Sequence, residues 1–282
     1  WNQVISGDHS LTKIGAGTLV LNGTNAFTGG LLVSEGTLQI DAPASFGAAP
    51  ASENPDAVIF NGGNLHVTSG NAIASSNRGF RISGGAGTTF EIDDGVTLRL
   101  GGSIRDVSGQ AGHLIKAGTG TLSLEPGTGV ELSYTGGTTV SAGGLRLVDA
   151  TLGLSGSPGV SFASGTSLEG SGTIAGPVTL AGATTISPGS YGIVDAVNNV
   201  FGVTGPGTIT VDGNLDLSPA VSTAGALAFD LDAPGTNDQL VVTNGTLSIG
   251  SGVLGFASFQ FTASTNLAPG TYTLFTTRTP IA

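Results

Sequence analysis

The chain repeats itself. Lys13-Ile14-Gly15-Ala16-Gly17-Thr18-Leu19-Val20-Leu21 returns as Lys116-Ala117-Gly118-Thr119-Gly120-Thr121-Leu122-Ser123-Leu124. Phe27-Thr28-Gly29-Gly30-Leu31-Leu32-Val33-Ser34-Glu35-Gly36-Thr37-Leu38 returns as Tyr134-Thr135-Gly136-Gly137-Thr138-Thr139-Val140-Ser141-Ala142-Gly143-Gly144-Leu145. The second copy carries extra residues around Pro126, between its two halves. Motifs that recur while insertions collect in a loop point to stacked units that share one continuous core.

The units read as short strands. Thr18–Leu21, Thr37–Ile40, Val96–Leu100, Thr121–Leu124 and Thr208–Val211 mostly alternate aliphatic and polar residues, the two-residue period of a half-buried strand. Asn22-Gly23, Asn61-Gly62, Asp94-Gly95, Asp212-Gly213 and Asn244-Gly245 lie between such runs as turn dipeptides. No long 3.6-residue apolar stripe occurs, so the chain is all-β.

A sandwich of antiparallel sheets and a β-solenoid both fit many short strands. The internal repeat, the shortness of the strands and the low charge favour the solenoid, in which polar residues stack on their equivalents. At roughly 20 residues per coil the chain makes about 14 turns, a rod of roughly 65 Å. The inward residues are then Leu19, Leu21, Phe27, Val33, Leu38 and Ile40 in the first repeat. Leu122, Leu124, Tyr134, Val140, Leu145 and Leu147 match them in the second.

The pattern G-x-G-T-L-x-L … [FY]-T-G-G-x-x-V-x-x-G-x-L, at Gly15–Leu38 and Gly118–Leu145, resembles the autotransporter-associated β-strand repeat, also called the passenger-associated transport repeat. Val160–Gly189 is similar to the segments found C-terminal to such repeats, as is Gly207–Leu217 leading into Phe229-Asp230-Leu231 and Asp238–Val242. The resemblance implies a right-handed parallel β-helix forming a single elongated domain. It would be a passenger exported across a bacterial outer membrane and displayed outside the cell. Residues 1–150 would be β-helix with two transport-type repeats (13–40 and 116–147) and a loop-bearing section between them. Residues 151–282 would continue the β-helix as a repeat-associated section. Nothing in the chain resembles a C-terminal translocator barrel.

Composition excludes several roles. Eight basic against 19 acidic residues give a net charge of −11, which offers no electrostatic footprint for nucleic acid and is repelled by anionic membranes. No apolar run is long enough for a spanning helix, so no membrane insertion by this segment is expected. Absence of Cys removes disulfides and thiolate chemistry, and suits a chain that crosses an oxidising compartment unfolded. A start at Trp1, with no Met anywhere, reads as a mature or trimmed segment.

Little in the sequence carries chemistry, and no catalytic residue is assigned. A nucleophile elbow and a P-loop are both missing. Gly250, Gly252 and Gly255 form a G-x-G-x-x-G, but a strand pattern comes next where a dinucleotide site needs a helix. His9, His66 and His113 are isolated, and Asp93-Asp94 read as a turn with a solvated face. Asp230, Asp232 and Asp238 gather near the turn at Pro234-Gly235, where hard oxygen ligands from neighbouring loops would hold Ca²⁺; no other cofactor is expected. Arg78, Arg81, Arg99 and Arg105 form either a basic strip for an acidic partner or an offset to Glu91, Asp93, Asp94 and Asp106. Ala42–Asp56 and Ser187–Val203 break the rhythm and read as loops leaving the coil, where a displayed activity would live.

These features are compatible with three functions. The first is a non-catalytic structural stalk at the bacterial surface that aids export and display, pairing with neighbouring repeats or with itself in fibres or a surface layer. An adhesin holding glycans or surface proteins through its loops is the second. A polysaccharide-active enzyme, which needs a cleft with two carboxylates on one face, is the third.

Overall fold

The computed structural model describes residues 3–70, 73–195, 200–263 and 267–279. The chain divides into two compact units, Trp1–Gly143 and Gly144–Ala282.

In the first unit, every named strand pairing is parallel and joins one coil to the next. The strands lie on three faces. One face stacks Leu11–Lys13, Leu31–Val33, Asn54–Phe60, Arg78–Ile82 and Ile104–Asp106. The second stacks Thr18–Leu21, Thr37–Ile40, Asn64–Val67, Thr88–Ile92, Leu114–Ala117 and Thr138–Val140. The third carries Ile73–Ala74, Thr97–Leu100 and Thr121–Leu124.

Because side chains alternate across a strand, every second residue enters the coil and stacks on its counterpart above and below. One such row runs Leu19, Leu38, Leu65, Phe90, Lys116 and Val140. Edge-to-face rings add to the core: Phe46 on Phe80 with centroids 5.6 Å apart, and Phe60 on Phe90 at 5.3 Å.

The second unit is built in the same way, with one departure. Gly144–Leu152 pairs with Ser167–Ile174, whose two halves then diverge. Ser167–Gly170 pairs onward with Thr185–Pro188, and Gly172–Ile174 with Thr208–Val211. Between these partners the chain leaves the parallel ladder in an antiparallel hairpin, Ser190–Asp195 against Val200–Gly205. Most of the anticipated excursion at Ser187–Val203 falls in this hairpin; residues 196–199 lie outside the described residues.

Three sequence expectations need correcting. Coils are not uniformly near 20 residues. Side-chain bonds between neighbouring coils span 20 residues at Ile5–Asn25, 27 at His66–Asp93 and 32 at Thr246–Asn214, so the count of about 14 turns does not hold. Leu19 is half-buried in Thr18–Leu21, an end strand of its sheet among the described residues, while Leu21 of the same strand is buried. Ala42–Asp56 leaves the coil only in part, at the mostly exposed residues 49–53. Its 3-10 turn Pro43–Phe46 buries Ser45 and Phe46, and its last residues open the strand Asn54–Phe60. The other eleven inward residues are buried.

Candidate functional site

The two lysines of the chain occupy the same place in the two repeats, and both are buried: Lys13 is 6% exposed and Lys116 0%. Each side chain enters an apolar row, and each Nζ donates to three backbone carbonyls. Lys13 reaches Ile14 O and Glu35 O at 3.0 Å, and also Gly15 O. Lys116 reaches Ala117 O at 2.9 Å, Gly118 O at 2.7 Å and Ala142 O at 3.1 Å. Two acceptors belong to the lysine's own turn, and the third to the turn one coil on. An ammonium has three N–H donors, so the cage is complete. Burial pushes the Lys116 ammonium down to about 8.

Glycine keeps the cage closed. Gly36 and Gly143 come directly after the third acceptor in each repeat, with φ of 66° and 69°. A Cβ would stand 2.3 Å from Gly17 O at the first and 2.2 Å from Gly120 O at the second, so no other residue fits between the two turns.

The arginines form no docking strip. Arg99 meets Glu125 in a two-pronged pair, Nε to Oε1 and Nη2 to Oε2, both 2.8 Å, with each side chain 7% exposed. Arg81 pairs with Asp56 and donates to Asp106 O at 2.7 Å. Arg105 lies 3.7 Å from Glu53 and 3.8 Å from Glu131. Except for that Asp106 carbonyl, none of these partners is among the acids expected from sequence. Contacts between coils pair residues some 25 positions apart, beyond reach of a local reading. Arg78 is buried and has no carboxylate partner among the described residues.

Outside the first unit's Leu11–Asp106 face runs an open groove of about 740 Å³, with Leu32 and Ile59 on its wall and Asp56, Arg81, Asp106 and Gln110 around it. Two carboxylates therefore share one face, as an enzyme would need, but both are committed. Asp106 Oδ1 accepts the amides of Gly112 at 2.7 Å and Thr135 at 2.9 Å, and its Oδ2 accepts the Thr135 hydroxyl at 2.8 Å. Asp56 is held by Arg81.

His66 Nε2 lies 2.8 Å from Asp93 Oδ1, and His113 Nε2 lies 3.0 Å from Thr139 Oγ1. Tyr134, in the place of Phe27, is a core residue as the repeat implies.

At the acidic trio, the Asp238 carboxylate is 1% exposed and bonds backbone: Oδ1 accepts the Gly207 amide and Oδ2 the Asp230 amide, both at 2.7 Å. Burial, reinforced by the nearby Asp230 charge, raises Asp238 to about 6 despite the two amides. Asp230 and Asp232 are half-buried. Among the described residues no three His, Cys, Asp or Glu side chains come together as a metal-holding group.

In the second unit, the hairpin is tied down by Tyr191. The Arg146 guanidinium lies 4.3 Å from the centre of its ring, and its hydroxyl reaches Glu169 Oε2 at 3.4 Å. Arg146 pairs with the same oxygen at 2.8 Å.

Comparison with known proteins agrees with this geometry. Residues 11–40 and 114–147 match the model of the passenger-associated transport repeat. A relative is the adhesin BmaC autotransporter of Brucella suis biovar 1 (strain 1330), 33% identical over 146 residues. The match covers 52% of this chain and 4% of that protein, so the chain spans a small fraction of its relative's length. No solved structure matches. The chain carries two passenger-associated transport repeats in parallel β-ladders of solenoid type, and about half of it is similar to part of an autotransporter adhesin.

Proposed function

We propose that this chain is part of a surface-exposed passenger, a non-catalytic stalk whose repeats drive coil-by-coil folding as the chain emerges from the export pore. The lysine cages carry this reading. A finished coil presents Lys13 or Lys116 with two carbonyls in place and one N–H unanswered. The next coil supplies the third acceptor, Glu35 O or Ala142 O. A hydrogen bond from a charged donor contributes about 1.5–3 kcal/mol. Each cage therefore rewards laying down the following coil and opposes its slipping back.

The test is surface display in the native export context, comparing the parent with a Lys13→Met/Lys116→Met variant. The reading expects less protease-accessible passenger outside the cell and more degraded material inside. Equal display with equal protease resistance would refute it.

A second reading, adhesion, draws support from the relative's description as an adhesin and from the open groove around Arg81.

A further inference from the structure

Arg78 stands apart from the other paired arginines. It is 4% exposed, yet no carboxylate among the described residues forms an ion pair with it. Its Nη1 donates to Phe46 O at 3.0 Å and its Nη2 to Gly47 O at 2.7 Å, and the guanidinium carbon lies 5.8 Å from the centre of the Phe46 ring. Carbonyl dipoles and a ring face supply only partial negative charge, while burying a full charge without a counter-charge is costly. Consistent with that cost, burial pulls the guanidinium below its ordinary value.

The same arginine lines a cavity of about 380 Å³ in the first unit. Thr24, Pro43, Ala44, Ala48 and Ala49 share its wall, so the lining is small and largely apolar apart from the guanidinium, two hydroxyls and the Asn25 amide, which is itself bonded to the Ile5 amide and the Ser45 carbonyl. Thr24, Ala44 and Ala49 are exposed, so the cavity opens to solvent. An uncompensated buried cation in the wall of an accessible cavity calls for an anion. The size and lining decide which kind: a compact, mainly apolar body bearing one acidic group.

We propose that this cavity is a binding site for a monocarboxylate, whose oxygens meet the Arg78 guanidinium while its body packs against Pro43, Ala44 and Ala48. A sugar acid and the C-terminal carboxylate of a peptide both present that group. The site is independent of the lysine cages and does not require the stalk reading. The net charge of −11 opposes anions at long range, so affinity is modest, with Kd on the order of 1 mM.

The test uses the whole chain labelled with ¹⁵N-arginine, following the Arg78 Nε–H signal by NMR. It is titrated separately with glucuronate and with N-acetyl-alanine, with chloride as the control. A saturable shift of that signal with either carboxylate supports the site, and the probe that binds tells sugar acid from peptide terminus. The Ala44→Phe variant fills the cavity and leaves Arg78 in place; it should weaken binding about tenfold or more. A linear shift that chloride reproduces, no shift with either probe, or an unchanged affinity in Ala44→Phe would each overturn the proposal.

Discussion

Lys13 and Lys116 hold the same position in the repeat but stand at different corners of the coil. Lys13 leads from the Leu11–Asp106 face to the face of Thr18–Leu21. Lys116 leads from that second face to the third, where Thr121–Leu124 lies. The cage is therefore a property of the motif and not of one place on the solenoid. Replacing Lys116 with Met keeps the volume of the stem but leaves three carbonyls without a donor. Relief of the buried charge offsets part of that loss. The net cost expected is about 2 kcal/mol, read as a lower denaturant midpoint with an unchanged slope. A midpoint equal to the parent's would show that the cage adds nothing to stability.

The Arg99–Glu125 pair joins two successive coils and is nearly shut off from water. Glu125→Ala strands a buried guanidinium and also removes the acceptor of the Ser123 hydroxyl, 2.7 Å away. The expected loss is about 3–5 kcal/mol, several times that of an exposed pair such as Arg105–Glu131. Comparing urea unfolding of Glu125→Ala and Glu131→Ala decides the point; equal effects would mean that burial does not govern these pairs.

Two-residue alternation with turn dipeptides made the strands and most of the core legible, since burial of alternate aliphatics depends only on local pattern. Leu19 escaped because alternation gives the face a residue takes but not how far its neighbours cover it. The lysine cage was within reach. Lys13 and Lys116 head the two copies of the repeat, and an isolated cation in an apolar row two residues before a turn glycine is a signal of buried carbonyl ligation. Partners of Arg81, Arg99 and Arg105 were not legible. Coil length varies from one turn to the next, and without the register no acid can be assigned to a base.

Asp238 links stability to pH. Its folded value of about 6 lies above the ordinary carboxylate value of 3.8, so between them the folded chain holds more proton than the unfolded one. Its contribution is thus greatest below about pH 4 and is lost as pH rises through 6. Asp238→Asn fixes the group neutral but turns an amide NH₂ toward one of the two backbone N–H donors, at a cost of about 1–3 kcal/mol. The gap between parent and variant should be widest near pH 4 and narrow toward pH 7. Denaturation at the two values measures it, and a gap that widens with pH would contradict the raised value.

The Ser190–Asp195 and Val200–Gly205 hairpin stands outside the parallel ladder, so its hold on the second unit rests on side chains. Tyr191 supplies a ring under Arg146 and a hydroxyl to Glu169. The two contributions separate by substitution. Tyr191→Phe keeps the ring and gives up the hydroxyl's contacts with Glu169, at the long end of the range, and with Arg146, a loss of about 0.5–1 kcal/mol. Tyr191→Ala also gives up the stacked cation and the apolar area, about 2–3 kcal/mol. Because the parallel ladder Ser167–Ile174 to Thr208–Val211 does not pass through the hairpin, the loss should appear as local opening. Hydrogen exchange at the amides of 202–205 should quicken in Tyr191→Ala and change little in Tyr191→Phe, while amides of 209–211 keep their protection. Uniform loss of protection across both segments would show instead that the hairpin is integral to the coil.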